Sequence, residues 1–392
     1  MLIVNMNSSL LKKAVCLFLL SVSACQNIQS ATPSLGTSAV LPTGTDSIPT
    51  VTEVSGVATD SLLGPIITPL PQFDDYIIYN KFETRTDYAI WAIKLNDPTP
   101  RLITMNLKPW GWSPSNKFWL FTGNKSIYVA NADGSDIHMV YTYEEYQGVE
   151  LFWLTDEIVL FNAYKDITSQ PPDIYSLNIS SGAIIQLFQG ESKFIQATFP
   201  SEKKWLLTDW PIGSLMIVDE THKAEQFFNN FSIPTNIFSP YPPIQRITKL
   251  DRYLFKAKDS GEADYKLWLA SQQETSQVFF DPGSDGIDQF AVSPDEQYVA
   301  LTFNTLNGVY LYIFSLESLQ LLHKWIYPFT LSTGYFIWSP DSKSIVLPYS
   351  ELDAGNSTEV HFGIQVMDIT TGETRIILKE DVNEILAWHS LK

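Results

Sequence analysis

From about residue 73 onward, apolar and polar residues alternate in short runs that are separated by turn-forming pairs. Clear runs span residues 126–131, 173–178, 266–270 and 364–369, and several are followed by an Asp-Gly, Ser-Gly or Thr-Gly pair. A period of two places successive side chains on opposite faces of a strand, and these pairs are typical of hairpin turns. The pattern therefore predicts an all-β fold built of antiparallel hairpins.

A longer period is superimposed on this alternation. Each unit begins with an apolar strand that ends in an aromatic residue and a Ser-Pro-Asp-like turn, and three further strands follow. The equivalent positions are spaced by 41, 46, 48, 45, 46 and 50 residues, and they are Trp112, Trp153, Phe199, Ile247, Val292, Trp338 and Trp388. A period of this length is typical of the four-stranded blade of a β-propeller.

The clearest copies of the turn are Trp338-Ser339-Pro340-Asp341, Val292-Ser293-Pro294-Asp295 and Trp112-Ser113-Pro114. These units resemble the repeats of TolB-like propellers, a WD-repeat-like family whose consensus places Trp-Ser-Pro-Asp-Gly between the first two strands of a blade. The resemblance covers residues 73–392, which we assign to one propeller domain. No copy has the consensus glycine after the aspartate, and Asn116, Glu296 and Ser342 occupy or adjoin its place.

The two ends of the repeat array complement one another. The first unit, residues 75–104, lacks an inner strand with the aromatic turn, and the last unit, residues 384–388, consists of that strand alone. Pairing of the C-terminal strand with the first blade would close the ring and remove exposed strand edges. We therefore expect a single propeller of seven four-stranded antiparallel blades, in preference to six.

The N-terminus has the parts of a secretory signal. Lys12 and Lys13 end a polar segment, an apolar run from 14 to 20 follows, and a small-residue stretch leads to Cys25. Val22-Ser23-Ala24-Cys25 resembles the lipobox of bacterial lipoproteins, which implies cleavage after residue 24 and attachment of diacylglycerol and further acyl chains such as palmitate to Cys25. Two or three acyl chains suffice for stable anchoring. The alternative is an ordinary signal peptide with an incidental cysteine.

Residues 25–72 have the composition of a linker, rich in Ser, Thr, Pro and Gly and without any Lys or Arg. We expect them to hold the propeller away from a bacterial membrane, at the cell surface or in the periplasm. The formal net charge of the chain is −18, which argues against a nucleic-acid partner because phosphate binding needs a positive surface. The only cysteines are Cys16 and Cys25, so the propeller contains no disulfide.

No catalytic motif stands out in the sequence. It contains no Gly-x-Ser-x-Gly elbow, phosphate-binding loop or His-Glu-x-x-His pair. Residues 281–288 have part of the oxygen spacing of a calcium loop through Asp281 and Asp285, but Gly283 and Val292 occupy two ligand positions. We predict no catalytic residues, metal or cofactor. The five histidines lie in unrelated parts of different repeats, namely His138, His222, His323, His361 and His389.

Loops between the second and third strands, and between blades, should share one face of the propeller. Aromatic residues at these predicted loop positions are candidates for binding a partner, and they are Trp110, Tyr164, Trp210, Tyr241 and Tyr335. We expect a monomeric, non-enzymatic platform for a protein or glycan. One alternative is a glycan-active lyase or hydrolase, which convergence of Asp166, Asp264 and Asp353 would favour. Another is a periplasmic scaffold within an envelope assembly, as TolB is.

Overall fold

The alternating pattern folds into strands throughout the repeat region. The structure is a computed structural model, and it describes residues 67–70, 75–82, 88–166, 171–209, 215–228, 231–232, 244–259, 264–271, 276–283, 286–305, 308–327, 336–352, 360–380, 382 and 384–390. The predicted signal segment, Cys25 and residues 26–66 of the predicted linker lie outside these residues. Within the described part of the chain, no helix is long and apolar enough to span a membrane.

The strands form seven antiparallel sheets, and each sheet is one blade whose strands follow one another from the inner to the outer edge. Blade 1 contains β29 (Glu384–Ser390), β1 (Asp75–Phe82), β2 (Tyr88–Lys94) and β3 (Asp97–Met105). Blade 2 contains β4 (Lys108–Trp112), β5 (Phe118–Gly123), β6 (Ser126–Asn131) and β7 (His138–Thr142). Blade 3 contains β8 (Gly148–Trp153), β9 (Ile158–Tyr164), β10 (Asp173–Asn178) and β11 (Ile184–Phe188).

The remaining blades repeat this order. Blade 4 contains β12 (Lys193–Phe199), β13 (Lys204–Asp209), β14 (Leu215–Asp219) and β15 (Ala224–Phe228). Blade 5 contains β16 (Phe231–Ser232), β17 (Ile244–Ile247), β18 (Arg252–Asp259), β19 (Lys266–Ala270) and β20 (Gln277–Phe280). Blade 6 contains β21 (Ile287–Val292), β22 (Tyr298–Thr305), β23 (Gly308–Ser315) and β24 (Leu321–Tyr327). Blade 7 contains β25 (Ile337–Trp338), β26 (Ser344–Leu352), β27 (Val360–Asp368) and β28 (Thr374–Leu378). Among the described residues, the 3₁₀ helix Pro200–Glu202 lies between β12 and β13, and the 3₁₀ helix Thr248–Leu250 lies between β17 and β18.

The predicted seven-bladed ring and its closure are confirmed. Strand β29 pairs with β1 from Asp75 opposite Ser390 to Asn80 opposite Glu384, so the C-terminal strand supplies the inner edge of the first blade. Blade 5 departs from the regular pattern, because the short strands β16 and β17 both pair with β18 at its inner edge.

The Ser-Pro-Asp turns are built by the serine side chain. In blade 7, Ser339 Oγ accepts the backbone N–H groups of Lys343 and Ser344 and donates to Asp341 Oδ1 at 2.6 Å. The next residue, Ser342, has a φ of 60°, the left-handed conformation that glycine adopts without strain. The equivalent residues of four other blades also have positive φ, which explains the consensus glycine, and they are Asn116, Lys203, Asp251 and Glu296.

The aromatic residue of the repeat joins neighbouring blades. Trp153 Nε1 donates to the carbonyl oxygen of Gly111 at 3.1 Å, and Trp338 Nε1 donates to that of Ala291 at 3.0 Å. Each bond connects the inner strand of one blade to the inner strand of the preceding blade. Apolar clusters fill the spaces between blades, so burial and these indole bonds together hold the ring.

The end of the predicted linker is part of the folded body. The N–H of Thr68 donates to the carbonyl of Ile103 in blade 1, and the N–H of Leu70 donates to that of Asp133 in blade 2. Ile67 and Leu70 are buried in the apolar cluster shared by blades 1 and 2. Residues 67–70 therefore pack on the propeller and do not act as a free spacer.

Candidate functional site

Three charged side chains lie at the same level on the inner strands of three consecutive blades. Glu384 is opposite Asn80, Lys108 is opposite Thr122 and Glu150 is opposite Asn162 in the strand registers. All three lie near the start of their inner strands. We call the end of the central channel at which the inner strands begin the channel mouth, and the face around it the upper face. The described part of the mouth comprises Glu384, Lys108, Glu150, Lys256 and Asp288.

Glu150 is the most unusual of these residues because its carboxyl group is buried. Its side chain is only 7% exposed, and Oε2 accepts hydrogen bonds from Tyr164 OH at 2.6 Å and Asn162 Nδ2 at 3.0 Å. Burial raises the pKa of Glu150 to about 7, although these two bonds and Lys108 act in the opposite direction. Both bonds end on Oε2, so Oε1 keeps its capacity to accept a donor from a ligand.

Lys108 lies between the two carboxylates. Its pKa is lowered by burial, and the negative charges of Glu384 and Glu150 oppose that shift. The ammonium nitrogen lies 4.2 Å from the centre of the Trp110 ring, within the range of a cation–π contact. Trp110 is itself held by a hydrogen bond from its Nε1 to Thr122 Oγ1 at 2.9 Å.

Glu384 completes the row on the closing strand. Burial raises its pKa, while Lys108 and a hydrogen bond from Asn80 act to lower it. That bond, from Asn80 Nδ2 to Glu384 Oε2, is 3.3 Å long. Asn80 is 1% exposed and its Oδ1 has no hydrogen-bond partner. A buried acceptor without a partner costs stability. A ligand N–H or O–H group beside Glu384 that bonds to Asn80 Oδ1 would remove this cost.

A second charged pair lies on blades 5 and 6. Asp288 is the extra residue of a bulge in β21, between the paired residues Ile287 and Gln289. Desolvation by the surrounding protein raises the pKa of Asp288 to about 6 against the opposing charge of Lys256, although the residue is exposed at the surface. Lys256 Nζ donates to the backbone carbonyl of Ile287. Bulges redirect side chains and are common beside binding sites.

A polar cluster orders the loops of the upper face beside Glu150. Tyr146 OH lies 3.1 Å from Asp173 Oδ2 and 2.5 Å from Tyr175 OH, and Lys165 Nζ lies 3.1 Å from the same carboxylate oxygen. The N–H of Gly190 donates to Asp173 Oδ1 at 2.8 Å. This cluster ties the loop that follows blade 2 to blade 3 and thereby fixes the surroundings of Glu150.

The structure brings two of the five predicted aromatic residues together at the channel mouth. Trp110 and Tyr164 both contact the charged row, but they lie in strands and not in loops. Trp110 is the extra residue of a bulge in β4, and Tyr164 is the last residue of β9 and is 3% exposed. The other candidates, Trp210, Tyr241 and Tyr335, lie outside the described residues.

The structure describes only some of the other predicted acidic positions. Asp264 and Asp281 are exposed, while Asp285 and Asp353 lie outside the described residues. Asp166 follows β9 on the upper face. Among the described residues, no group of three or more His, Cys, Asp or Glu side chains could hold a metal ion.

The three charged residues of the row were missed by sequence reasoning. Glu384 and Lys108 each precede the repeat aromatic by four positions, and Glu150 precedes Trp153 by three. Alignment on that aromatic residue therefore leaves Glu150 one position out of step, and bulges in β4 and β29 bring the three residues to one level.

Comparison with known proteins supports the fold and does not assign a family. No family model matches the sequence, and no curated protein matches it. The β-propeller domain of the Trilobed protease from Pyrococcus furiosus is similar in structure, with a TM-score of 0.51 and 16% identity over 82% of this chain and 99% of that chain. That domain is described as having an open velcro topology, whereas β29 closes the ring of this protein.

Two further solved structures are similar to this chain to different degrees. Pyrococcus horikoshii acylaminoacyl peptidase has a TM-score of 0.53 and 11% identity over 80% of this chain and 52% of that chain. TolB from Acinetobacter baumannii has a TM-score of 0.44 and 13% identity over 80% of this chain and 82% of that chain. At these identities the likeness concerns the fold alone, and the chain shares the β-propeller architecture of the Trilobed protease domain.

Proposed function

We propose that this chain is an exported, lipid-anchored binding module whose ligand occupies the channel mouth. The observation that carries the proposal is Glu150, a carboxylate that is 7% exposed and whose pKa is raised to about 7. A buried carboxylate costs stability, so its presence is best explained by a function. Titratable groups with perturbed pKa values concentrate at functional sites. Glu150 also lies beside a cation and a second shifted carboxylate.

A binding role is favoured over catalysis because the side chains of the mouth are charged and hydrogen-bonding groups that suit the recognition of a ligand. Carboxylates, an ammonium and side-chain amides at one level can bind charged or hydrogen-bonding parts of a partner. The sequence contains no nucleophile motif. A rigid ring that presents such a mouth above a membrane-anchored spacer suits the capture of an envelope partner, a protein or a glycan.

The anchor is tested with a matched pair of cysteine variants. Replacement of the predicted lipidation site, Cys25→Ser, should move the protein from the membrane fraction to the soluble fraction of the host bacterium. Cys16→Ser changes the other cysteine, within the predicted signal segment, and should leave the protein with the membrane. Retention of the Cys25→Ser variant in the membrane fraction would contradict the anchor.

The binding face is tested by photo-crosslinking in cells. A photoreactive residue at Gln147, exposed in the loop before β8, should capture a partner. The same residue at Glu317, exposed in the turn between β23 and β24 at the opposite end of the blades, should not. Equal capture at both positions, or capture at Glu317 alone, would place binding elsewhere.

A second candidate function is a glycan-active enzyme, and the two carboxylates with raised pKa favour it. The negative charges of Glu150 and Glu384 both raise the pKa of Lys108, which lies between them. A carboxyl group with a pKa near 7, such as that of Glu150, can serve as a general acid. Release of reducing sugar ends from envelope glycans, abolished by Glu150→Gln, would establish this function in place of simple binding.

A further inference from the structure

The carboxylates of the channel mouth lack cationic partners at close range. Glu150, Glu384 and Asp288 all have pKa values raised by desolvation. Among the described residues, none of the three forms a salt bridge within 4.0 Å. The two lysines of the mouth are held by other groups, since Lys108 lies over the Trp110 ring and Lys256 donates to a backbone carbonyl. The negative charge of the mouth is therefore undercompensated.

We propose that the channel mouth binds a basic peptide segment of a partner protein, whose ammonium or guanidinium group takes the place of the Lys108 ammonium between Glu150 and Glu384. This inference rests on the proposed function and names its ligand class. A guanidinium can donate to two carboxylates at once, and the free Oδ1 of Asn80 accepts a further N–H beside Glu384. The net charge of −18 would also steer a basic segment toward the protein.

The described part of the mouth suits a peptide better than a sugar ring. Sugars commonly need an accessible aromatic face in a binding site, together with polar groups. One face of Trp110 is occupied by the Lys108 ammonium, and its indole N–H is bonded to Thr122. Tyr164 is 3% exposed and its hydroxyl is bonded to Glu150. Trp110 also packs against the apolar cluster of blades 2 and 3, so neither aromatic residue offers a fully exposed flat surface.

Binding of a cation should be linked to proton release. Glu150 faces Tyr164 and Asn162 on β9 and the charge of Lys108 on β4, and Glu384 faces Asn80 and the same lysine. An arriving cation favours the ionised form of both carboxyl groups, so a proton held by Glu150 near neutral pH is expelled. Affinity should consequently fall as the pH is lowered from 8 to 5.

The test uses isothermal titration calorimetry on the full chain with the blocked peptide acetyl-Gly-Arg-Gly-Arg-Gly-amide. The result expected is saturable binding that weakens at least tenfold in Glu150→Gln and in Glu384→Gln. Titration at pH 7 in two buffers of different ionisation enthalpy should show proton release. Glu317→Gln, which removes an exposed carboxylate at the opposite end of the blades, is the matched control and should bind as the native protein does. Lys108→Met should bind more tightly because a competing cation is removed.

Three outcomes overturn the inference, and they separate it from the proposed function. If the Glu analogue acetyl-Gly-Glu-Gly-Glu-Gly-amide binds instead, with proton uptake and dependence on Lys108, the mouth is a binding site but its ligand is anionic. If an oligosaccharide binds and Glu150→Gln abolishes its binding, the ligand is a glycan. If no probe binds, or binding is unchanged in the Glu150→Gln/Glu384→Gln double variant, both the inference and the site at the mouth are lost.

Discussion

The side-chain amide of Gln289 forms a two-way hydrogen bond with the backbone of Phe336, across the joint between blades 6 and 7. Gln289 Nε2 donates to the Phe336 carbonyl at 2.9 Å, and Gln289 Oε1 accepts the Phe336 N–H at 2.7 Å. Gln245 and Asn162 make comparable bonds from blades 5 and 3 to the inner strands of blades 6 and 4. Amide side chains near the channel therefore join several neighbouring blades.

Loss of this amide should destabilise the ring. Gln289→Ala leaves a buried N–H and a buried carbonyl without partners, which should lower the free energy of unfolding by roughly 2–4 kcal/mol. Denaturant unfolding followed by circular dichroism measures the effect. Gln297→Ala, which changes an exposed glutamine on the same blade, should cost far less. Equal stability of the Gln289→Ala variant and the native protein would show that the joint does not depend on this bond.

The closing strand should make the fold sensitive to acid through His389. This buried side chain stacks on Trp112 with ring centres 4.0 Å apart, and burial lowers its pKa to about 4 from an ordinary value of 6.5. Between these values the unfolded state binds the proton more readily, so stability falls as the pH drops from 6.5 to 4, by up to roughly 3 kcal/mol. His389→Phe, which keeps an aromatic ring, should flatten this part of the stability–pH curve. A curve unchanged by that substitution would mean that other groups cause the acid sensitivity.

Glu150 should have the opposite pH dependence. Its pKa is raised from 4.5 to about 7, so the folded state holds the proton more tightly and stability falls as the pH rises through this range. At pH 8, Glu150→Gln should raise the free energy of unfolding by about 3 kcal/mol, and at pH 4.5 it should change little. Unfolding curves at the two pH values test this prediction. Destabilisation at pH 8 would show that the charged form contributes to the fold, which would remove the main argument for a functional carboxylate.

Glycine substitutions at the left-handed positions of the turns should change stability differently at Lys203 and at Glu296. Lys203 has a φ of 51°, and among the described residues its side chain makes only an exposed salt bridge to Glu220, so Lys203→Gly should stabilise the fold by roughly 0.5–1 kcal/mol. Glu296 has a φ of 53°, but its carboxylate accepts the N–H groups of Thr248 and Lys249 from blade 5 at 3.0 and 2.7 Å. Glu296→Gly should therefore give no net gain. Thermal unfolding of the two variants compares these effects. An equal gain in stability in both variants would mean that the contact of Glu296 with blade 5 contributes nothing to stability.

The ring could be predicted because its signals are local and repeated. In the clearest copies the serine and the aspartate of the turn act within a few residues, and the period of the repeat fixes the number of blades. The absence of the consensus glycine has its cause in contacts between blades, which the sequence does not show. Glu296 and Ser342 keep a side chain at the left-handed position because that side chain bonds to the turn of the preceding blade.

The channel mouth could not be predicted in the same way. Lys108, Glu150 and Glu384 lie far apart in the sequence, and only the closed ring brings their inner strands side by side. A charged residue at the start of a strand is ordinarily solvated, so single charges gave no signal. The bulges that reposition Trp110 and Asp288 depend on strand register and cannot be read from alternation.

The most direct test of the binding site is a crystal structure of the protein grown with saturating acetyl-Gly-Arg-Gly-Arg-Gly-amide. We predict that one guanidinium lies between Glu150 and Glu384, with nitrogen atoms about 3 Å from their carboxylate oxygens. A peptide ordered only on the outer strands or on the opposite face, with the channel mouth filled by water, would contradict the account.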